Sequence, residues 1–269
     1  MTYASIMVAV DLGDHARERI RLAGHVADDF RAHLIGVAAE MPAYEFAPAG
    51  PTLGGAYCIA SIQEAVVNDL RMAHEAFKEA VGNRSRVEWR SNLDFPLGFL
   101  TGQSAAADLL VVGRGDEGSP LMSVNTGDAL MQLGLPVLVV PPKVDHLDAK
   151  RVAVGWKNTR EARRAIRDAL PFLKRASQAV VVSIDDGKGA ADTRDIVALL
   201  QSHDVYATAV SKDAYGAETS EALVDAACEH GADLLVAGAY GHGRLREWAF
   251  GGVTRDLLAA APICCLMSH

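Results

Sequence analysis

The run Ala232-Asp233-Leu234-Leu235-Val236-Ala237-Gly238-Ala239-Tyr240-Gly241-His242-Gly243 passes from apolar residues into spaced glycines, and Phe250-Gly251-Gly252-Val253-Thr254 follows before a helix-like stretch. A strand that hands over to a helix through glycines suits a phosphate. Helix N-terminal N–H groups have no intrahelical partners and carry partial positive charge, and glycine lets the backbone approach an anion without a Cβ in the way. The spacing is Gly238, two residues, Gly241, nine residues, Gly251-Gly252, then Val253-Thr254. His242 and Arg244 lie within the loop, where they could bond phosphate oxygens with charge assistance or simply be solvated. The glycines could equally build a tight turn for close packing, and Thr254 could supply a hydroxyl or be a satisfied first-turn threonine.

For catalysis the residues offer little. The nine histidines are scattered, with no His-x-Glu or His-Glu-x-x-His pair, and no Gly-x-Ser-x-Gly elbow occurs. The four cysteines, Cys58, Cys228, Cys264 and Cys265, lack metal-ligand spacing. We read them as reduced, mostly buried thiols of a cytoplasmic protein. No catalytic residue and no metal ligand is assigned.

The loop has a damaged copy half a chain earlier. Ala107-Asp108-Leu109-Leu110-Val111-Val112-Gly113 repeats the Ala-Asp-Leu-Leu-Val run and reaches a glycine at the same distance. Met7-Val8-Ala9-Val10-Asp11 matches Val152-Ala153-Val154-Gly155, and Leu135-Pro136-Val137-Leu138-Val139 matches Ala261-Pro262-Ile263-Cys264-Cys265, so the chain reads as a duplication. In the first copy the loop has become Gly113-Arg114-Gly115-Asp116-Glu117-Gly118-Ser119-Pro120. Its two acidic side chains would repel a phosphate. It also spells Gly-x-Gly-x-x-Gly, but that fingerprint belongs after the first strand of a βαβ unit, whereas this copy follows a fourth strand.

These loops need a scaffold, and the chain alternates apolar runs with helix-like stretches. Strands are expected near 4–11, 32–39, 85–91, 108–113 and 136–141, with helices near 14–29, 59–81, 95–106 and 122–133. The second half repeats this with strands near 150–155, 178–184, 205–210, 233–238 and 262–267, and helices near 159–175, 190–203, 217–230 and 249–260. Continuous apolar strands separated by helices predict parallel sheets covered on both faces, with ligands beyond the carboxyl ends of the strands. The linker is expected at Pro141-Pro142-Lys143-Val144-Asp145-His146-Leu147-Asp148. Residues 41–57, rich in proline and with the pair Gly54-Gly55, read as a long loop, either a lid or a surface excursion.

A length of 269 residues suits two domains of ordinary size. The formal charge of −8 argues against a broad nucleic-acid footprint, and the basic cluster Arg160, Arg163, Arg164 and Arg167 reads as the solvated side of a helix. Apolar runs such as 133–140 are far shorter than a membrane span. No secretion signal is read at the N-terminus.

On these motifs the chain resembles the universal stress protein family, in two tandem copies over almost its whole length. The resemblance implies two tandem α/β, Rossmann-like (adenine nucleotide alpha hydrolase-like) domains, each a five-stranded parallel sheet with helices on both faces, at 1–143 and 149–269. It also implies ATP or AMP, with or without Mg²⁺, bound by the second loop. Nucleotide-binding members carry Gly-x-x-Gly, nine residues, then Gly and Ser or Thr. Gly238, Gly241 and Gly251 match, whereas Gly252 replaces the hydroxyl residue; in the first half only Gly113 matches, Asp116 replaces the second glycine and Asn125-Thr126 replace Gly-Ser.

The ATP-binding members also place an Asp at the end of the first strand, near adenine and ribose. Asp11 sits there in the first half, as that anchor or as a cap for the next helix. The second half has Gly155-Trp156, and Trp156 would stack on an adenine or fill its place. By resemblance the last strands, at 137–140 and 263–266, pair across the domain interface. The implied function is a stress-response regulator with a protein partner, forming an intramolecular domain pair or a homodimer. An interaction scaffold without nucleotide and a weak ATPase or phosphotransferase are the alternatives.

Overall fold

A computed structural model describes residues 2–42, 53–114, 121–185, 192–214, 218–239 and 252–269, with the backbone alone for 53–58. The first half runs β1 (Ser5–Ala9), α1 (Ala16–Phe30), β2 (His33–Ala39), α2 (Leu53–Val81), β3 (Val87–Asn92), α3 (Pro96–Gln103), β4 (Leu109–Gly113), α4 (Thr126–Gln132) and β5 (Val137–Val140). The second runs β6 (Arg151–Gly155), α5 (Arg160–Leu173), β7 (Gln178–Asp185), α6 (Arg194–Ser202), β8 (Ala207–Asp213), α7 (Thr219–Glu229), β9 (Leu234–Gly238), α8 (Gly252–Ala260) and β10 (Cys264–Ser268). Each element falls within a few residues of its expected place, save the start of α2. Residues 53–57, expected in a loop because of Gly54-Gly55, already belong to that helix. The rest of the supposed lid, 43–52, lies outside the described residues.

The strands form one ten-stranded sheet in the order β3-β2-β1-β4-β5-β10-β9-β6-β7-β8. Each half supplies five of these strands, and the pairing of the last strands that the resemblance implies joins the halves. Pairing is parallel within each half, and β5 meets β10 antiparallel with Leu138 opposite Leu266. Left alone, each of these apolar strands would expose an unpaired row of N–H and C=O groups, so each serves as the other's cover. The outer strands β3 and β8 are instead more polar, which suits an open edge.

Helices cover both faces. One apolar layer packs α1, α2, α5 and α6 against the sheet, and the other packs α3, α4, α7 and α8. Inner strands such as β1, β4 and β9 are therefore apolar at successive positions, because neither face meets water. In α5 the buried face is Ala162, Ala165, Ile166, Ala169 and Leu173, while Arg160, Arg163, Arg164 and Arg167 are exposed. The Thr159 hydroxyl caps this helix by accepting from the Ala162 N–H at 3.2 Å. The halves also meet through Tyr3, Phe30 and Phe172, whose rings pack edge to face at 5.0–5.6 Å.

The repeated Ala-Asp-Leu-Leu-Val has a structural cause in its aspartate. Asp108 Oδ2 accepts the N–H groups of Ala4 and Ser5 at 2.7 and 3.0 Å, and Asp233 Oδ2 accepts those of Asp148 and Ala149, both at 3.0 Å. Each carboxylate ties down the chain entering the first strand of its own half.

Glu40, just after β2, is 2 % exposed, and its Oε2 has no hydrogen-bond partner among the described residues. Burial, then the nearby Asp69, pushes its carboxyl above the ordinary range. The folded state therefore holds this proton to higher pH than the unfolded chain does, and Glu40 removes stability as pH rises from the unfolded value towards the folded one. Glu40→Gln is expected to stabilise the protein at pH 7 by about 1 kcal/mol, with the gain closing near pH 4. Urea unfolding across that range measures it; a gain that persists at pH 4 would assign the effect to something other than the charge.

Candidate functional site

The strand order reverses between β6 and β9 in the second half and between β1 and β4 in the first, and such switch points open crevices at the carboxyl ends of the strands. At the second, β9 ends on Gly238 and α8 begins at Gly252. Gly241, His242, Arg244 and Gly251 lie outside the described residues. Gly238, Gly252, Val253 and Thr254 are described, and they differ in role.

A Cβ on Gly238 would overlap the backbone of the first turn of α5, with Ala162 N nearest, Glu161 C at 2.6 Å and Ala162 Cα at 2.9 Å. That glycine is needed for helix-on-strand packing whether or not a ligand is present. Gly252 is exposed, and among the described residues a Cβ there would meet only Asp256 Oδ2, at 3.9 Å. Val253 is half-buried against the core, and Thr254 is 4 % exposed, so Thr254 and Gly252 do not share one open face.

The end of β6 corrects the sequence comparison. Val152 pairs with Leu234 as Ile6 pairs with Leu109, and Val154 with Val236 as Val8 with Val111. The N–H of Trp156 donates to Val182 O just as that of Val10 donates to Val37 O. Counting on, the counterpart of Asp11 is the exposed Lys157, not Gly155 or Trp156. The shared Val-Ala-Val had placed the two strands two residues out of step. A shift of two leaves every side chain on its own face of the strand, so the hydrophobic pattern does not expose the error. The equivalence of Lys157 and Asp11 comes from the pairing of each first strand with the Leu-Leu-Val strand of its own half, since the segments between them differ in length.

Neither residue once considered for the adenine is open to it. A Cβ on Gly155 would come within 2.9 Å of Leu223 Cδ2. Trp156 is 9 % exposed within the core, and its Nε1 donates to Asp192 O at 2.9 Å. Of the two roles weighed for this indole, it fills space.

In the first half Asp11 is 6 % exposed and already committed. Its Oδ2 accepts from Arg19 Nη2 at 2.7 Å and its Oδ1 from the Gly13 N–H at 2.9 Å, while Arg19 Nε donates to Ala9 O at 3.1 Å. It does not cap α1, which starts after His15 with no side-chain cap bond. Asn125 and Thr126, standing where the family has Gly-Ser, are likewise engaged. Asn125 Oδ1 caps α4 by accepting from the Asp128 N–H at 3.0 Å, and Thr126 Oγ1 donates to Gly113 O at 3.2 Å. Arg114 reaches across the joint and donates to Ala261 O in the second half. Residues 115–120, with Asp116 and Glu117, lie outside the described residues.

Among the described residues no group of three or more His, Cys, Asp or Glu could hold a metal ion, and no helix is long and apolar enough to cross a membrane. Cys264 and Cys265 are free and buried, whereas Cys228 is free and exposed. Burial pushes the Cys265 thiol up to about 12.

Residues 149–269 match the model of the universal stress protein family. The crystal structure of a universal stress protein from Archaeoglobus fulgidus DSM 4304 is similar with a TM-score of 0.63 at 16% identity, over 98% of this chain and 98% of that one. A functionally unknown protein from Pseudomonas aeruginosa PAO1 is similar with a TM-score of 0.52 at 15% identity, over 98% of this chain and 92% of that one. At such identities the likeness is one of fold, and it runs through both halves. No curated relative matches the chain. The second half of the chain thus matches the universal stress protein family, and the likeness of fold to a universal stress protein runs in tandem through both halves.

Proposed function

We propose that residues 149–269 form the nucleotide-binding domain of a stress-response regulatory protein, and that residues 1–143 pair with it without binding nucleotide in the same manner. The ligand is ATP or AMP, the former with Mg²⁺, and its phosphates lie along the glycine segment from Gly238 to Thr254. A protein partner responds to the occupied state. One observation carries this reading: α8 opens at Gly252, which is exposed among the described residues, at the switch point of the second half. A helix N-terminus in that place offers unpaired N–H groups and the positive end of a dipole to a phosphate. In the first half the matching positions are spent on the cap of α4 and on Gly113 O.

A second reading, an interaction scaffold without nucleotide, is favoured by the end of β6. There a lysine stands at the place of Asp11, and Leu223 fills the space beside Gly155. Thermal melting with ATP, AMP and NAD, each with Mg²⁺, separates the two. A ligand at a hundred times its Kd stabilises the native state by about 2.7 kcal/mol, a readable shift. We expect a shift with ATP or AMP that Gly241→Asp abolishes. Gly252→Ser, which restores the hydroxyl of the nucleotide-binding pattern, is expected to tighten the nucleotide about tenfold. No shift with any nucleotide would leave the scaffold, and Mg²⁺-dependent ADP release would make the site an ATPase.

A further inference from the structure

At the opposite end of the sheet, where α1 and α2 finish and β2 and β3 begin, lies a cavity of about 360 Å³ with a basic rim. Arg31, Arg84 and Arg86 line it together with Asn83, Ser85 and Asp28. Two of the guanidinium groups are held in place by the protein. Arg84 donates from Nε to Asp28 Oδ2 and from Nη1 to Val81 O, both at 2.8 Å, and Arg86 donates from Nη1 to Arg31 O at 2.7 Å. A guanidinium has five N–H donors, so Arg84 and Arg86 keep donors that these bonds do not use. Arg31 makes no side-chain hydrogen bond among the described residues.

The charges favour an anion. Three guanidinium groups face one carboxylate, and the C-terminal ends of α1 and α2 add about half a negative charge each, so roughly one positive charge is left over. Helix capping alone does not account for these arginines. The Leu34 N–H donates to Arg86 O as the Ala179 N–H donates to Tyr206 O, so the second half builds the same corner with Tyr206 in place of Arg86. The turn there, residues 203–206, reads His-Asp-Val-Tyr and holds no arginine. Arg31 moreover holds a left-handed backbone, φ 54°, where glycine would cost less.

We propose that this corner is a second anion site, distinct from the nucleotide cleft, and that it takes a phosphate group, either inorganic phosphate or the monoester of a small metabolite. The planar forks of Arg31 and Arg86 match phosphate oxygens in pairs, Arg84 is held behind them by Asp28, and Asn83 and Ser85 add neutral donors.

Calorimetric titration of the full chain with sodium phosphate at low ionic strength, against sodium chloride of equal ionic strength, tests it. The wild type should bind phosphate saturably, and Arg31→Gln/Arg86→Gln should bind it at least about tenfold more weakly. Arg31→Gln alone removes no hydrogen bond within the described residues and keeps the test open should the double variant unfold. Gly241→Asp should leave phosphate binding at this corner unchanged, which separates the result from the fate of the nucleotide reading. Glycerol 3-phosphate binding more tightly than phosphate would identify a metabolite monoester, and equal binding the inorganic ion. Heat no greater than that of chloride, or phosphate binding unaltered in both arginine variants, would overturn the proposal.

Discussion

Replacing Asp11 with alanine should destabilise the protein by about 3–5 kcal/mol, because the guanidinium of Arg19, 2 % exposed, loses the carboxylate bonded to it at 2.7 Å. The loss is not the net worth of the pair. Two charges taken out of water recover their desolvation only through their mutual bond and the hydrogen bonds around it, here to the Gly13 N–H and Ala9 O. Asp11→Ala combined with Arg19→Met should therefore regain most of the loss, since an apolar side chain then fills the site without an unpaired charge. Urea unfolding of the two variants measures the difference. A loss below about 1 kcal/mol in Asp11→Ala would mean that Arg19 finds another partner or water. The same variants bear on function. With its carboxylate tied to Arg19, Asp11 is not available to a sugar or base, so any nucleotide-induced shift should survive Asp11→Ala in full.

Gly238→Ala should cost about 2–3 kcal/mol, the range of an overpacked core. The new methyl group would meet main-chain atoms of Glu161 and Ala162, which cannot rotate aside as a side chain can, so the start of α5 has to move off β9. Gly252→Ala, by contrast, should change stability by no more than about 0.5 kcal/mol, since among the described residues its Cβ would touch only Asp256 Oδ2, at an ordinary 3.9 Å. Midpoints of urea unfolding decide the contrast. Equal losses at the two glycines would contradict the division between a glycine kept for packing and one kept open to a ligand.

That division shows how far the motif itself could be read. Gly238 and Gly252 stand in one spaced pattern, and spacing alone gives both the same meaning. Their neighbours separate them: the backbone of α5 lies against one, and among the described residues the tip of Asp256 alone is near the other. Asp11 teaches the same lesson. An acid at the end of a first strand reads as an anchor or a cap, yet a residue in the first turn of α1, Arg19, had already claimed it. Nothing in the order of residues 11–19 announces that contact, because it depends on the angle at which α1 folds back over the strand.

The amino-acid sequence by itself determined that this is a tandem α/β chain and where nearly every strand and helix lies. Those properties follow from local period and composition: strands covered on both faces must be apolar at successive positions, and the helices between them must carry an apolar stripe. It also determined that the second glycine segment is the better preserved one. Only the tertiary structure decided the register in which β5 meets β10, that Lys157 rather than Gly155 is the counterpart of Asp11 in the repeat, and that three arginines gather around one corner. Each of these depends on strand register or on the packing of distant segments. A two-residue shift leaves the face of every side chain unchanged, so the register of a buried strand is settled by its paired neighbours and not by its own pattern.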